Sequence, residues 1–221
     1  SESFGIGIRV IARGSWGFAS TDRLTREGIA ACAAEAVAIA KASALAKRHD
    51  VEMVPVEAYQ DTWQNPYVKD PFRIPLERQL DLLLAADKEM SRVKGVTLTE
   101  TSMTFRRIEQ FFVSSVGSAI HQIKMSSGAG IVATTFAGSE IQKRSYPNSF
   151  GGQHMLAGYE LVESLDLVGN APRVAEEAVA LHSAPQAPGG TKTLILDSSQ
   201  LGLQIHESIG HPIELDRVLG M

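Results

Sequence analysis

The sequence contains very little cysteine, no long apolar run and no excess of basic residues. Cys32 is the single cysteine in 221 residues, so no disulfide can form within the chain, which fits a reducing compartment. No run of about 18 apolar residues occurs that would span a bilayer. Basic residues number 21 against 25 acidic ones. We therefore expect a cytoplasmic protein that binds neither nucleic acid nor a membrane.

The sequence also lacks internal repeats, low-complexity tracts and a clear nucleotide-binding loop. Gly128-Ala129-Gly130 comes nearest to a phosphate-binding loop, but no Lys-Ser or Lys-Thr pair follows it. A turn is the favoured interpretation of this segment.

Both ends of the chain suggest a piece of a longer polypeptide. Ser1 is not an initiator Met, and Met221 lies only ten residues past His211. We expect a truncated N-terminus. A signal peptide lost before Ser1 would weaken the cytoplasmic assignment.

The first half of the chain predicts a hairpin and two helices. Apolar alternation on either side of the turn residues 13–15 predicts the hairpin over residues 4–19. An Ala-rich helix is predicted over residues 24–47, with Thr25 as its N-cap and Cys32 as a small buried side chain. A second helix is predicted over residues 75–92. Its apolar face is formed by Leu76, Leu80, Leu83 and Leu84.

Residues 48–75 lie between the two helices, carry four prolines and show little periodicity. We predict an extended connection across the surface, held to the domain by its aromatic residues Tyr59, Trp63 and Tyr67.

The second half begins with a change to period-two alternation over residues 95–144. Breaks at Gly117, at residues 126–128 and at Gly138 predict an antiparallel meander of three to four strands. A third helix is predicted over residues 170–183. The fold class is therefore α+β, an antiparallel sheet with long packed helices.

A Pro- and Gly-rich stretch over residues 185–190 resembles a linker. Beyond it we predict a strand over residues 191–197 and a short helix capped by Ser198 or Ser199, with one apolar face buried. That face is formed by Leu201, Ile205 and Ile209. These features predict an N-terminal α+β domain over residues 1–187, and the incomplete start of a C-terminal metal-site domain over residues 188–221.

Candidate chemistry lies in the segment His206-Glu207-Ser208-Ile209-Gly210-His211. It is one residue longer than the His-Glu-x-x-His signature, in which two histidines bind zinc and the glutamate is the general base. His206 and His211 are the candidate metal ligands; the alternative is that both are ordinary helix residues hydrogen-bonded to the backbone. Glu207 is assigned as the catalytic residue that takes a proton from a zinc-bound water as it attacks a peptide carbonyl.

The extra residue requires a break in the helix. Residues five apart on a regular α-helix differ by about 140° around its axis, whereas residues four apart differ by about 40°. One solution is a single π-turn. The other ends the helix with Gly210 in the left-handed conformation, and Pro212 pushes His211 out of the α region. We favour the second, because Gly210 and Pro212 flank His211.

A catalytic zinc also needs a third protein ligand. Glu214 and Asp216 are the nearby carboxylates, and either could equally orient a ligand or be simple surface charge. The remaining histidines have no partner at ligand spacing, and we expect them to be structural or solvated. They are His49, His121, His154 and His182.

The chain resembles the TldD/PmbA family, also described as modulators of DNA gyrase, and specifically its TldD branch. The resemblance covers most of the chain. Its most specific part is the hairpin, with Ser3-Phe4-Gly5-x-Gly7-x-Arg9-Val10 and Gly14-x-Trp16-Gly17-Phe18-Ala19-Ser20. The helix through residues 35–40 and the histidine segment followed by Glu214 extend it.

The resemblance implies a zinc metalloprotease that acts on short or unfolded peptides, with His206 and His211 binding zinc and Glu207 as acid/base. It also implies a homodimer, or a heterodimer with a PmbA-like subunit. The family's remaining zinc ligand is a cysteine in the C-terminal domain, and no residue here matches it. We therefore expect this chain alone to hold zinc weakly or not at all and to be inactive.

A second hypothesis is a non-catalytic interaction or regulatory subunit of a TldD/PmbA-type complex. It predicts no bound metal in the full-length protein and intact partner binding after His206→Ala.

Overall fold

The apolar start of the chain folds as the predicted hairpin. Strand β1 (Ile6–Ala12) pairs antiparallel with β2 (Ser15–Thr21). Arg13 and Gly14 form the turn with φ of 52° and 68°, the left-handed region that a tight hairpin turn requires.

Helix α1 (Arg26–Ser43) follows the hairpin, slightly shorter than predicted. The side-chain oxygen of Thr25 accepts a hydrogen bond from the backbone N–H of Gly28 at 3.1 Å, so the predicted N-cap is confirmed.

Small residues bring α1 close to the hairpin. Cys32, Ala36 and Ala40 are buried at intervals of four residues on one helical face. A Cβ atom at Gly17 of β2 would overlap the carbonyl oxygen of Ala36 and the backbone nitrogen of Ala40. Close packing of helix on sheet therefore depends on the glycine and on the alanines, and Cys32 is the small buried side chain that we predicted.

The computed structural model describes residues 1–220, and the chain divides into two compact units, Ser1–Ala58 and Tyr59–Met221. The hairpin and α1 belong to the first unit. The predicted domain boundary between residues 187 and 188 stays a prediction.

A five-stranded sheet is the centre of the second unit. The strands are β3 (Gln60–Gln64), β4 (Val96–Val113), β5 (Ala119–Ala137), β6 (Glu140–Tyr146) and β7 (Gln153–Met155). The long β5 is central and pairs antiparallel with β4, β6 and β7 and parallel with β3. The antiparallel meander is confirmed, but the sheet is mixed because of β3.

The predicted break at residues 126–128 and the predicted turn at residues 128–130 are wrong. Both segments lie inside β5. A Cβ atom at Gly128 would overlap the ring of His154, and one at Gly130 would overlap the carbonyl oxygen of Gly151. Glycine is needed here because neighbouring groups approach the strand closely, which is the other common reason for glycine in a sheet.

The connection over residues 48–75 contains β3, which the sequence did not predict. Its five residues Gln60–Gln64 are exposed and mostly polar, so they carry no hydrophobic alternation. Of the three aromatic residues predicted to hold this connection to the domain, Tyr67 is half-buried, whereas Tyr59 and Trp63 are exposed. The buried side chains in this region are Asn65 and Pro71.

Three helices cover the sheet: α2 (Leu76–Ser91), α3 (Glu160–Ser164) and α4 (Leu167–Ala180). The core includes Ala129, Ile131 and Ala133 of β5 with Val174, Ala175 and Ala178 of α4. The predicted face of α2 is wrong for three of its four leucines: Leu76, Leu80 and Leu84 are exposed and Leu83 is half-buried, whereas Ala86 and Met90 are buried. The sequence offers two apolar stripes on α2, and only tertiary packing decides which is covered.

The C-terminal segment carries α5 (Ser198–Ile205), a π-helical turn (His206–Gly210), a 3-10 turn (His211–Ile213) and α6 (Leu215–Leu219). Residues 191–197 do not form the predicted strand. None of these four elements has a buried residue within the described chain. The predicted burial of Leu201, Ile205 and Ile209 is therefore wrong.

Across residues 1–220, no helix combines the length and the apolar composition that a membrane span requires.

Candidate metal centre

Helix α5 leads directly into the candidate site, and Asp197 caps its N-terminus. The Asp197 carboxylate accepts hydrogen bonds from the backbone N–H of Gln200 at 3.0 Å and the hydroxyl of Ser199 at 2.8 Å. The bond from Gln200, followed by that from Ser199, holds the pKa of Asp197 below its ordinary value. The cap is thus Asp197, the residue before the predicted Ser198 or Ser199 pair.

The helix is broken at the histidine segment by a π-turn. The backbone N–H of His211 donates to the carbonyl oxygen of His206, five residues back. This turn makes residues five apart neighbours. The two imidazole rings lie with their centroids 4.4 Å apart and their planes at 68°. Of the two backbone arrangements predicted from the spacing, the structure contains the first, the π-turn.

The arrangement that we favoured, in which a left-handed Gly210 ends the helix, is wrong because the backbone stays right-handed. Gly210 has φ −56° and ψ −55°, and His211 has φ −66° and ψ −41°. Pro212 is accommodated in the first turn of the 3-10 segment, where its missing N–H removes no helical hydrogen bond. The preference of a residue before proline for an extended conformation is overridden at His211.

Three polar side chains converge on this turn. The Nε2 atom of His206 lies 4.0 Å from Glu207 Oε1, and the Nε2 atom of His211 lies 3.9 Å from Glu207 Oε2. One ligand-type atom from each of the three residues lies within 4.8 Å of the others. A tetrahedral zinc holds its donor atoms about 3.4 Å apart, and the ligand-type atoms of His206 and His211 lie within 4.8 Å of each other.

The cluster is open to solvent. The side chains of His206 and Glu207 are 61% and 59% exposed, and that of His211 is 32% exposed. The structure thus brings together the three residues that the sequence assigned to the site. It presents them on an outer surface of the segment.

The two nearby carboxylates differ in their contacts. Glu214 Oε1 lies 2.8 Å from His211 Nδ1, and Glu214 Oε2 lies 3.4 Å from Arg217 Nε. Within residues 1–220, the side chain of Asp216 has no hydrogen-bond or ion-pair partner. The sequence left these two carboxylates equivalent, because the direction in which each points depends on the turns that follow His211.

Comparison with known proteins connects this chain to one family. A sequence profile described as PmbA/TldA metallopeptidase domain 1 matches residues 1–40. A metalloprotease of Methanothermobacter thermautotrophicus is 31% identical over 215 residues, which cover 97% of this chain and 45% of that protein. The chain belongs to the TldD/PmbA family.

A second relative agrees with this assignment to the TldD/PmbA family. A metalloprotease of Synechocystis is 28% identical over 223 residues, covering 98% of this chain and 45% of that protein. This TldD/PmbA chain spans less than half the length of the curated relatives it matches, between 45% and 47%.

Two solved structures share the fold of this TldD/PmbA chain. One is a candidate modulator of a DNA gyrase from Thermotoga maritima, with a TM-score of 0.63 at 16% identity over 85% of this chain and 40% of that one. The other is a candidate modulator of DNA gyrase from Bacteroides thetaiotaomicron, with a TM-score of 0.61 at 13% identity over 80% and 39%. At such identities the likeness supports the fold alone.

Two histidines outside the segment have partners of their own. His121 stacks on Phe111 with ring centroids 4.2 Å apart, and its Nε2 lies 2.9 Å from Glu109 Oε1. His182 Nε2 lies 2.8 Å from Thr135 Oγ1. These contacts agree with the structural roles expected for both residues.

Proposed function

We propose that this chain supplies two zinc ligands and the general base of a metalloprotease that hydrolyses peptide bonds in short or unfolded peptides. The observation that carries the proposal is the convergence of His206, Glu207 and His211 within 4.8 Å on a π-turn. Membership of a family whose curated relatives are named metalloproteases supports it.

The residues present suit zinc. Two neutral imidazoles are common ligands of catalytic zinc, and zinc accepts nitrogen donors at about 2.0–2.1 Å. His206 and His211 would hold the ion through their Nε2 atoms, because those are the atoms that face Glu207. A bound zinc ion would supply Lewis-acid chemistry, acidifying a coordinated water and polarising the carbonyl of a peptide bond.

In this proposal Glu207 moves a proton during the reaction. Its two carboxylate oxygens lie 4.0 and 3.9 Å from the two Nε2 atoms. A carboxylate that borders both ligands can accept a proton released beside them and later give it to the departing amine.

Because the cluster is exposed, the proposal requires further protein surface to cover it. Catalytic zinc has three protein ligands and works in a site from which bulk water is excluded. Further protein surface must therefore cover His206 and Glu207, which are exposed here. The active form we propose is a homodimer, or a heterodimer with a PmbA-like subunit, with a cysteine outside this chain as the third ligand and peptides as substrates.

Glu207→Gln tests the proposal in the full-length protein. Hydrolysis of an unstructured peptide should stop with a chelator and return with zinc. The variant should keep its zinc and lose about 10²–10⁴-fold in kcat, the usual contribution of a general base. Asp216→Asn, in the same segment, is the matched control and should stay active.

Two outcomes would contradict the proposal. Undiminished activity in Glu207→Gln would remove the role of Glu207. A full-length protein that binds no metal, and that still binds its partner after His206→Ala, would instead be the non-catalytic subunit of the second hypothesis.

A further inference from the structure

The Glu214 carboxylate contacts one nitrogen of the His211 ring, and the other ring nitrogen faces the cluster of candidate ligands. Its Oε1 atom is 2.8 Å from His211 Nδ1, whereas the Nε2 atom of the same ring is 3.9 Å from Glu207. One imidazole thus uses its two nitrogens separately, one toward the cluster and one toward Glu214.

The backbone after His211 brings Glu214 to this position. The 3-10 turn closes with a hydrogen bond from the N–H of Glu214 to the carbonyl of His211 at 3.2 Å. Glu214 is then extended, with ψ of 135°, and α6 begins at the next residue. The side chain therefore points back at the ring from the junction between two helical turns.

Arg217 holds the other oxygen of the same carboxylate. Its Nε atom lies 3.4 Å from Glu214 Oε2. An ionised carboxylate has only acceptor sites, so the bond to His211 requires Nδ1 to carry the proton. A proton on Nδ1 of the neutral ring leaves the lone pair on Nε2, the atom that faces Glu207.

We propose that Glu214 is a positioning residue that fixes the tautomer and the orientation of His211 for metal binding, with Arg217 steadying its carboxylate. This inference rests on the proposed function of His211 as a metal ligand. A partner of this kind on a ligating histidine fixes the ring and increases its basicity, and its removal lowers metal affinity by about 10–100-fold.

The geometry separates this role from direct ligation. Glu214 occupies Nδ1 of His211, and the cluster of ligand atoms within 4.8 Å consists of His206, Glu207 and His211. The side chain also makes no capping hydrogen bond to α6. Its removal should therefore weaken metal binding and leave the helix in place.

The test compares Glu214→Ala, Glu214→Gln and Asp216→Ala in the full-length protein, by zinc titration against a chromophoric chelator. Glu214→Ala should bind zinc about 10–100-fold more weakly than wild type. Glu214→Gln should recover part of the loss, because the amide oxygen still accepts from Nδ1–H. Asp216→Ala should match the wild type.

Cobalt substitution supplies a readout that separates positioning from ligation. At saturating Co²⁺ the visible absorption bands report the number and type of ligands. Glu214→Ala should give the wild-type spectrum, reached only at a higher cobalt concentration. A changed spectrum at saturation would make Glu214 a ligand and overturn the positioning role.

The remaining outcomes distinguish this inference from the function on which it rests. Wild-type zinc binding with equal affinity in Glu214→Ala would overturn the role of Glu214 and leave the proposed function intact. A wild-type protein that binds neither zinc nor cobalt would overturn both.

Discussion

Asn65 is the residue that joins the end of β3 to the central strand. Its amide nitrogen donates to the carbonyl of Met125 at 3.1 Å, and its amide oxygen accepts from the N–H of Met125 at 2.7 Å. The side chain is 3% exposed. The amide therefore pairs both backbone groups of a buried strand residue, as a neighbouring strand would.

Asn65→Ala should lower the free energy of unfolding by about 1–3 kcal/mol, because it leaves buried backbone groups of Met125 without partners. Thr62→Ala, at an exposed position of β3, should change it by less than about 0.5 kcal/mol. Urea unfolding of both variants measures the difference. Equal stabilities would mean that water replaces the amide without cost.

Glu177 of α4 pairs with Arg144 of β6 and with Arg173 of its own helix. Its carboxylate lies 2.6 Å from Arg144 Nε and 2.8 Å from Arg173. The hydrogen bond from Arg144, followed by that from Arg173, holds the pKa of Glu177 below its ordinary value of 4.5. A carboxyl with a lowered folded-state pKa stabilises the protein above its unfolded-state pKa, and this stabilisation is lost as pH falls through the folded value.

Glu177→Gln should therefore be less stable than wild type at neutral pH. The difference should shrink as the pH falls below 4.5, where the wild-type carboxyl becomes protonated. Urea unfolding at several values between about pH 7 and pH 3 measures it. A difference independent of pH would show that the ion pairs add nothing to the acid sensitivity.

Among the elements, the π-turn shows what spacing can and cannot predict. A separation of five residues excludes a regular helix for two histidines that bind one metal ion. It leaves two backbone solutions, and Gly210 and Pro212 are compatible with both. The choice depends on a hydrogen bond between His211 and His206. The residue types in this segment do not predict that bond.

The sheet and the helices also show which features a sequence predicts and which it does not. The hairpin and α1 were predictable because capping, turn chemistry and small-residue packing all agree at Thr25 and Gly17. β3 was missed because its residues are polar and its partner is distant in sequence. Gly128 and Gly130 were misassigned because glycine marks both turns and close approaches.

Gly130→Ala tests the close approach within β5. A Cβ atom there would overlap backbone atoms of Gly151 and Gly152, which have no flexible side chain to move. Overpacking of this kind should lower the free energy of unfolding by about 1–3 kcal/mol. In Gly5→Ala, the control, the nearest atom is a carbonyl oxygen at 3.6 Å, an ordinary contact. Thermal unfolding of both variants measures the effect, and an unchanged transition in Gly130→Ala would contradict the packing of β5.

At the scale of the whole molecule, the candidate metal site lies outside the buried core. The buried core of the second unit lies between β5, α2 and α4. The segment from α5 to α6 carries the two histidines and Glu207, and its own elements have no buried residue in the described part of the chain. Its apolar side chains and its ligand cluster are both exposed, as the proposal that further protein surface completes the site requires.

The central claim is that His206 and His211 bind one metal ion together. The zinc content of the full-length protein, purified without chelator, tests it most directly, with His211→Ala as the variant and His154→Ala as the matched control. Wild type and His154→Ala should each retain about one zinc ion per chain, and His211→Ala should lose it. A wild-type protein without bound metal, or a His211→Ala variant that keeps as much zinc as wild type, would contradict the account.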